Sequence, residues 1–547
     1  MKKILYFSIL LIYAFMNQSC TNGRETVDLI VYNANIYTVD KDFSVAQSMA
    51  IRDGLIIAVG SDNDISDQYH TSNRFDARSK PIYPGLIDAH SHFTGYAAGL
   101  QRADLRHASS FEEVIQIMQR HTEKHSTAWL VGRGWDQNNW PGEEFPPHHS
   151  LSEAFPDVPV VLIRVDGHAV IANQEAMNRL AIDNNSSFPE GEAIYKEGKL
   201  AGVFLEHSAD RFKDAIPPLD RREMLAALRE AQDNCIKAGL TSVCDAGLDK
   251  EIISLIDSLQ QSGDLDIRVY AMLNPTDENI DYFIKNGVYK TDKLAVRSIK
   301  LYADGALGSR GARLLEPYSD VPDQLGIWVH DIPTMQKYSE LAIENGYQMI
   351  IHAIGDAATR RIIDVYSEFL QGKNDLRWRI EHAQVVHPED FDRFGQYSII
   401  PSIQSTHATS DMHWAGSRVG EERLKYSYAQ QKLLAQNGWL SNGTDFPVEE
   451  IYPLWTFYAA VFRKDHKGFP ENGFQMEDAL DRTQALQSMT IWAARAAFEE
   501  NEKGSLEPGK LADFIMLDRD IMKASEHEVL KTKVEAVWIA GKSMFER

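Results

Sequence analysis

Histidines and an aspartate recur at the ends of apolar runs in this chain, in a pattern that can bind a metal ion. The run GLIDAHSHF ends in His90 and His92, and residues two apart in a strand project from the same face. Two later runs end in IIHAIGD and IEHAQ, with His352 and His382, and a third ends in NGTDF, with Asp445. Imidazole nitrogens and a carboxylate oxygen are ligands suited to zinc or a similar divalent ion. The residue types therefore predict a metal site, provided that the fold brings these run ends together.

Each candidate ligand also has a structural alternative. A single His-x-His motif is more often a chance pair or two packed imidazoles than a ligand pair. His352 and His382 can be core histidines, and Asp445 can cap a following helix. All of these residues stand at equivalent ends of strand-like runs, which favours the metal site.

Eight strand-like runs must position these residues. Amphipathic helical stretches such as 222–239 and 485–500 fill the intervals between them. The alternation predicts an α/β fold with a (β/α)8 TIM barrel, whose functional side chains lie at the C-terminal strand ends. The eight runs cover residues 85–93, 240–247, 266–273, 297–305, 347–356, 377–384, 397–405 and 439–446.

The barrel is expected to carry two additions. Residues 21–80 and 501–547 read as short β-branched strands broken by turn residues, so we predict one small β-sandwich built from both terminal segments. The barrel itself is assigned to residues 81–500. Residues from about 104 to 215 follow its first strand, hold many aromatic and turn-forming residues, and are interpreted as an inserted subdomain.

The first twenty residues predict export. A positive MKK precedes the apolar stretch ILYFSILLIYAFM, which is too short to span a membrane, and NQSC follows. The segment resembles a bacterial lipoprotein signal, in which Cys20 would carry a lipid anchor. Ser19 before the cysteine favours lipidation, whereas Asn17 stands where such signals place an aliphatic residue, so Cys20 can also be an ordinary residue near a cleavage site. We expect an exported protein, tethered to a membrane only through this lipid.

Composition narrows the functional classes. The 547 residues are 44% hydrophobic, as in soluble globular proteins, and carry 79 acidic against 56 basic residues, a net charge of -23. That charge argues against a nucleic-acid partner, because phosphate contacts require clustered lysine and arginine. Cys235 and Cys244 lie in apolar surroundings and are interpreted as buried free thiols.

The order of the motifs resembles the amidohydrolase superfamily. A His-x-His pair, Lys300 in SIKLYADG, two further histidines and an aspartate follow one another, flanked by the split β-sandwich. The phrases KLYADGALGSRGA, HAIGD, EHAQ and SLEPGKLADF, with the long insert, are similar to the branch containing the N-substituted formamide deformylases. The resemblance covers essentially the whole mature chain. It is specific for the superfamily and uninformative about the substrate.

The resemblance implies two Zn²⁺ or similar divalent ions and a role for each ligand. The more buried ion would be held by His90, His92 and Asp445, and the more exposed ion by His352 and His382.

Lys300 would bridge both ions as a carbamate formed with CO₂. Carbamylation requires the neutral amine, which nearby metal charge and desolvation would favour. In the alternative, Lys300 remains a cation paired with Asp304 or Asp445, and the site holds one metal ion.

The family pattern implies a metal-dependent hydrolase that cuts a non-peptide, amide-type carbon–nitrogen bond in a small molecule. Hydroxide bridging the two ions would attack the carbonyl, and Asp445 would pass its proton to the departing nitrogen, releasing an acid and an amine. Two alternatives remain: a mononuclear deaminase or aminoacylase-like hydrolase of the same fold, and an exported, non-catalytic ligand-binding lipoprotein. A binding protein would not require Lys300 or Asp445.

Three residues are candidate substrate contacts, each with a structural alternative. Arg310, in GALGSRGA, can bind a carboxylate or carbonyl of the substrate, or bridge to an acidic loop residue. Trp135 and His168 lie in the insert; Trp135 can instead belong to the core of the insert, and His168 can make a structural hydrogen bond.

Association into a homo-oligomer is a further expectation, since many relatives associate.

Overall fold

The computed structural model describes residues 23–125, 127–165, 167–189 and 192–547. The predicted signal and Cys20 lie outside the described residues, so export and lipidation stay predictions. Within the described ranges, no helix has the length and apolar character needed to cross a membrane. The chain divides into two compact units. The first contains the chain up to Ser91, Cys235–Lys250 and Asp266–Arg547, and the second contains His92–Asn234 and Glu251–Leu265.

A parallel sheet of eight strands forms the centre of the first unit. In chain order, β1 to β8 are Leu86–Ser91, Leu240–Leu248, Arg268–Leu273, Leu294–Tyr302, Gln348–Ala353, Arg379–His382, Ile400–Ile403 and Ser441–Asn442. Each strand pairs in parallel with the next one along the chain. Every predicted run overlaps one of these strands, and the (β/α)8 prediction is confirmed. A short strand, Tyr289–Lys290, pairs antiparallel with β4.

The loop after β8 brings the last strand against β1 and nearly closes the barrel. The Asp445 backbone N–H donates to the carbonyl of His90 at 2.8 Å. Thr444 donates to the Asp88 carboxylate from its backbone N–H at 3.0 Å and from its hydroxyl at 2.7 Å. Burial raises the pKa of Asp88 to about 7, although these hydrogen bonds oppose the rise. The closure therefore places Asp445 beside the end of β1.

Helices cover the sheet, and local sequence explains their ends. The helix Ile332–Asn345 begins where Asp331 accepts a hydrogen bond from the Thr334 N–H and ends at Gly346, whose φ of 72° suits a left-handed C-cap. The other helices wholly within this unit are Asp62–Gln68, Asp277–Tyr282, Asp356–Phe369, Phe391–Gln396, Ser405–Asp411, Ala415–Leu424, Gln430–Asn437, Pro453–Phe462, Arg482–Ser488, Ile491–Ala496 and Glu526–Leu530.

The two terminal segments build two small sheets that share one hydrophobic core, as predicted. Val31 and Ile51 from one sheet pack with Ile82, Phe514 and Trp538 from the other. The first sheet contains Leu29–Tyr32, Ser48–Arg52, Leu55–Gly60 and Arg74–Asp76. The second contains Asn35–Tyr37, Val45–Ala46, Pro81–Pro84, Phe514–Leu517, Val534–Ile539 and Lys542–Glu546, so it joins strands from both ends of the chain.

The insert after β1 forms a sheet of its own in the second unit. Its strands are Arg102–Asp104, Leu130–Trp135, Val160–Arg164, Ala169–Ala172, Ala193–Lys196 and Lys199–Leu205. Its helices are Phe93–Leu100, Phe111–Thr122, His149–Ala154, Gln174–Arg179 and Glu206–Ala215. Two longer helices flank β2 in the chain, Arg221–Lys237 and Lys250–Ser262.

Cys235 and Cys244 are buried and free, as predicted.

Candidate metal centre

Asp445 is the centre of a buried group of imidazoles in the first unit. Its Oδ1 lies 3.6 Å from Nε2 of His90, and its Oδ2 lies 3.6 Å from Nε2 of His407 and 4.0 Å from Nδ1 of His382. The side chain is 7% exposed. The next described helix begins only at Pro453, so Asp445 does not cap a helix among the described residues. The carboxylate is therefore positioned among ligand atoms.

Two sets of three ligand atoms meet at this carboxylate. His382, His407 and Asp445 present ligand atoms within 4.8 Å of one another, and His90, His92 and Asp445 do the same. His90 lies in β1, and His92 follows the last strand residue directly and precedes the helix Phe93–Leu100. Such spacing lets one cation contact all members of a set.

His382 lies at the end of β6 and adjoins two other imidazoles. Its ring centroid is 5.0 Å from that of His90 and 4.5 Å from that of His352. Its Nδ1 is 2.6 Å from Oε1 of Gln404, a hydrogen bond that orients the ring. Burial, reinforced by neighbouring histidines and Lys300, lowers the pKa of His382 well below its ordinary value, which keeps the imidazole in the neutral form that binds metal.

His352 lies near the end of β5 and is more accessible than His382, with 14% of its side chain exposed against 4%. Burial, with Lys300 next in effect, lowers the pKa of His352 to about 3. Its Nε2 lies 3.4 Å from Oδ1 of Asp304, a carboxylate that already accepts backbone N–H groups of Ile354 and Gly355. His352 thus adjoins His382, although it does not belong to either set of three.

His407 is a candidate ligand that the sequence reasoning missed. It lies in the helix Ser405–Asp411, four residues after the end of β7, and is 9% exposed. The signal is present in SIIPSIQSTHATS, where a histidine follows the seventh apolar run. The pattern of strand ends does not include His407, because the residue belongs to the next helix.

The buried carboxylate of Glu381 contacts the ring nitrogen of His90 that does not face Asp445. Nδ1 of His90 hydrogen-bonds Oε2 of Glu381. Arg379 donates to the two Glu381 oxygens at 2.7 and 2.8 Å, and Ser402 donates to Oε2 at 2.9 Å. Burial disfavours the charge of Arg379, but Glu381 outweighs it and raises the pKa of the guanidinium. Because Glu381 fixes Nδ1, Nε2 is directed towards Asp445.

Lys300 is fully buried in β4 with an unusual environment. No carboxylate of the described residues lies within 4.0 Å of Nζ, and Nζ has no hydrogen-bond partner among them. Burial lowers the pKa of Lys300 to about 8, against the opposing effect of Glu381 and Asp445. Within the described residues, Lys300 therefore does not form the ion pair with Asp304 or Asp445 that was its predicted alternative.

The donor set fits a divalent cation. Nε2 of His352 and Nε2 of His407 are buried without a hydrogen-bond partner among the described residues, like Nζ of Lys300. Buried polar atoms normally have a partner, so these unsatisfied ligand atoms within one buried group of side chains fit a bound cation. Neutral imidazoles and a carboxylate are the ligands that zinc and similar ions use.

The three predicted substrate contacts are engaged elsewhere. Arg310 pairs with Asp320 at 2.8 Å, which is the structural alternative named for it. His168 is exposed and pairs with Glu206 at 3.1 Å. Trp135 requires a correction: it is fully buried in the core of the insert, and its indole N–H donates to the backbone carbonyl of Leu162, so it offers no surface to a substrate.

Gly443 lies where the loop after β8 passes close to β1, beside the metal centre. We expect Gly443→Ala to displace this loop and to disturb the metal centre. An added Cβ would lie 2.5 Å from the backbone nitrogen of His90 and 2.6 Å from Oδ1 of Asp88. Overpacking of this kind costs about 1–3 kcal/mol of unfolding free energy. Thermal unfolding measures the effect, and Gly99→Ala is the control, since its Cβ meets no atom within 4 Å. Equal melting temperatures for the two variants would contradict the prediction.

Residues 74–545 match the model of the Amidohydrolase family, which covers most of the chain. The chain belongs to the amidohydrolase family. This amidohydrolase-family chain is 31% identical over 543 residues to "Protein LONG AFTER FAR-RED 3" of Arabidopsis thaliana, covering 95% of this chain and 91% of that protein. It is 23% identical over 547 residues to the "N-substituted formamide deformylase" of Arthrobacter pascens, covering 95% and 98% of the two chains. The predicted superfamily and branch are confirmed.

A solved structure shows the same architecture. The chain superposes on an uncharacterized metal-dependent hydrolase from Pyrococcus horikoshii with a TM-score of 0.76 at 29% identity. The match covers 91% of this chain and 99% of that one. The chain is thus a metal-dependent hydrolase of the amidohydrolase family with a His/Asp metal site.

Proposed function

We propose that this amidohydrolase-family protein hydrolyses a non-peptide, amide-type carbon–nitrogen bond in a small molecule. The observation that carries the proposal is the Asp445 carboxylate, buried within 4.0 Å of His90, His382 and His407. A carboxylate beside imidazole nitrogens can both bind a metal ion and transfer a proton. The similarity to an N-substituted formamide deformylase supports an amide-type bond over other hydrolysable bonds.

The proposed ligands follow the two geometric sets. His90, His92 and Asp445 would hold one ion, and His382, with His352 or His407, would hold a second. Bound divalent ions lower the pKa of water towards neutrality and polarise a carbonyl oxygen. Asp445 then accepts the proton of the attacking water and delivers it to the departing nitrogen. The acyl carbon gains the hydroxyl group as the carbon–nitrogen bond breaks, so the products are a carboxylic acid and an amine.

Lys300 is proposed to carry a CO₂-derived carbamate in the loaded protein. Its pKa of about 8 leaves part of the amine neutral near pH 7, and only the neutral amine reacts with CO₂. The carbamate would give this buried nitrogen, which has no hydrogen-bond partner among the described residues, a chemical function and supply anionic oxygens. Protein equilibrated with ¹³C-bicarbonate should show a carbamate carbon resonance that disappears in Lys300→Met. One metal ion per chain and no such resonance would instead favour the mononuclear alternative.

Removal of metal should abolish hydrolysis. We expect chelator-treated protein to lose at least about a hundredfold in activity and to recover it with Zn²⁺, because water is otherwise a poor nucleophile at neutral pH. The assay is a panel of N-formyl and N-acyl amines, with a peptide and an ester for comparison, paired with a metal count. Hydrolysis that survives complete metal loss would contradict the proposal. Metal-loaded protein that cuts no member of the panel would favour the non-catalytic binding alternative.

A further inference from the structure

The second unit contains a cavity of about 540 Å³ that no residue of the metal centre lines. Its apolar wall includes Trp129, Val131, Ile163, Ile216 and Met224. Four of these five, all but Met224, also contribute to a hydrophobic cluster of the insert, so the wall is part of a packed structure. The volume lies within the range of pockets that hold small organic ligands, roughly 300–1,000 Å³.

Two arginines on neighbouring strands line the same cavity. Arg102 aligns with Val131 in a parallel ladder, and Arg133 lies two residues beyond Val131. Residues two apart in a strand share a face, so both guanidinium groups leave the sheet on one side. Both side chains are exposed, and neither forms an ion pair with a carboxylate of the described residues. Partial desolvation lowers the pKa of Arg102, and the charge of Arg133 adds to this effect.

The other charged groups around the cavity already have partners. Glu223 accepts the backbone N–H groups of Ala128 and Asp220. Lys213 donates to the carbonyl of Gly167 and pairs with Asp210.

The carboxylate opposite Arg133 is also engaged. Asp104 aligns with Arg133 in the ladder, but it is held by Arg106, whose Nη2 lies 2.7 Å from Oδ2. Among the described residues, no carboxylate thus pairs with either arginine, and the two like charges lie beside the apolar wall of the cavity. An anion would remove their repulsion.

We infer that this cavity binds a small organic acid, with its acidic group between Arg102 and Arg133 and its apolar body against Trp129 and Ile163. Planar guanidinium groups donate paired hydrogen bonds to a carboxylate. The apolar wall favours an anion with a hydrocarbon or aromatic body over an inorganic ion. The net charge of -23 repels anions in general, so binding depends on these two side chains. This inference is independent of the proposed hydrolysis.

Calorimetric titration of the full, metal-loaded chain tests the site. The probes are decanoate and 4-phenylbutyrate, with phenyl phosphate to compare acidic groups, and decylamine and inorganic phosphate as negative controls. We expect the organic acids to bind and both controls to fail. Arg102→Gln and Arg133→Gln should each weaken binding about tenfold, the usual effect of one charge-assisted hydrogen bond. Ala98→Phe, which fills the cavity without removing charge, should weaken binding as well.

Matched variants distinguish this site from other sources of anion binding. Arg179→Gln removes an exposed arginine that pairs with Glu175 and does not line the cavity, so it should leave the affinity unchanged. His382→Asn disrupts the metal centre and should also leave it unchanged. Binding that persists in the Arg102→Gln/Arg133→Gln double variant overturns the inference. Binding lost in His382→Asn but retained in that double variant assigns the anion to the metal centre. No binding at millimolar concentration overturns the inference too, whereas the failure of hydrolysis leaves it standing.

Discussion

Asp445→Asn is expected to fold, to retain metal and to hydrolyse amide substrates about a thousandfold more slowly. The amide keeps an oxygen ligand and nearly the same shape, but it cannot accept and return a proton. A positioned general acid–base group contributes roughly a hundredfold to ten-thousandfold to the rate. The effect should fall on kcat, because proton transfer belongs to the reaction and not to substrate binding.

Metal content and a matched aspartate control complete this experiment. Asp320→Asn removes a carboxylate that pairs with Arg310 and Arg418 in a loop, and it should leave kcat within about twofold of the original protein. Asp445→Asn with full metal occupancy and full turnover would show that another group moves the proton. A parallel loss of metal and activity would show that ligation is the main role of Asp445.

Glu381→Gln is expected to destabilise the protein by about 3–5 kcal/mol, because it leaves the buried charge of Arg379 uncompensated. Both side chains are fully buried, so solvent cannot replace the lost partner. The variant also removes the carboxylate that orients His90. Loss of such a partner lowers metal affinity by about tenfold to a hundredfold. Denaturant unfolding measures the first effect, and competition with a chelator measures the second.

An exposed ion pair provides the comparison. Asp104→Asn breaks the pair with Arg106, where both side chains are at least half exposed, and should cost no more than about 1 kcal/mol. The double variant Arg379→Met/Glu381→Met removes both buried charges and should lose less stability than the two single changes added together. Equal stability of Glu381→Gln and Asp104→Asn would show that the buried pair is not needed for folding.

The sequence by itself determined the barrel and most of the ligand candidates. Apolar runs ending in histidine or aspartate recur in the order of the strands, and parallel barrel strands all present their C-terminal ends at one rim. His90, His382 and Asp445 could therefore be selected from separate segments. The buried thiols and the split β-sandwich followed from local composition in the same way.

Only the tertiary structure decided the support of the site and the fate of the remaining candidates. The hydrogen bond between His90 and Glu381 joins residues 291 positions apart, and nothing in either segment specifies the partner. His407 lies in a helix, outside the strand pattern. The sequence left Trp135 as either a substrate contact or a core residue of the insert, and the structure places it in the core. Local sequence specifies the type and direction of a side chain, whereas its neighbours depend on long-range packing.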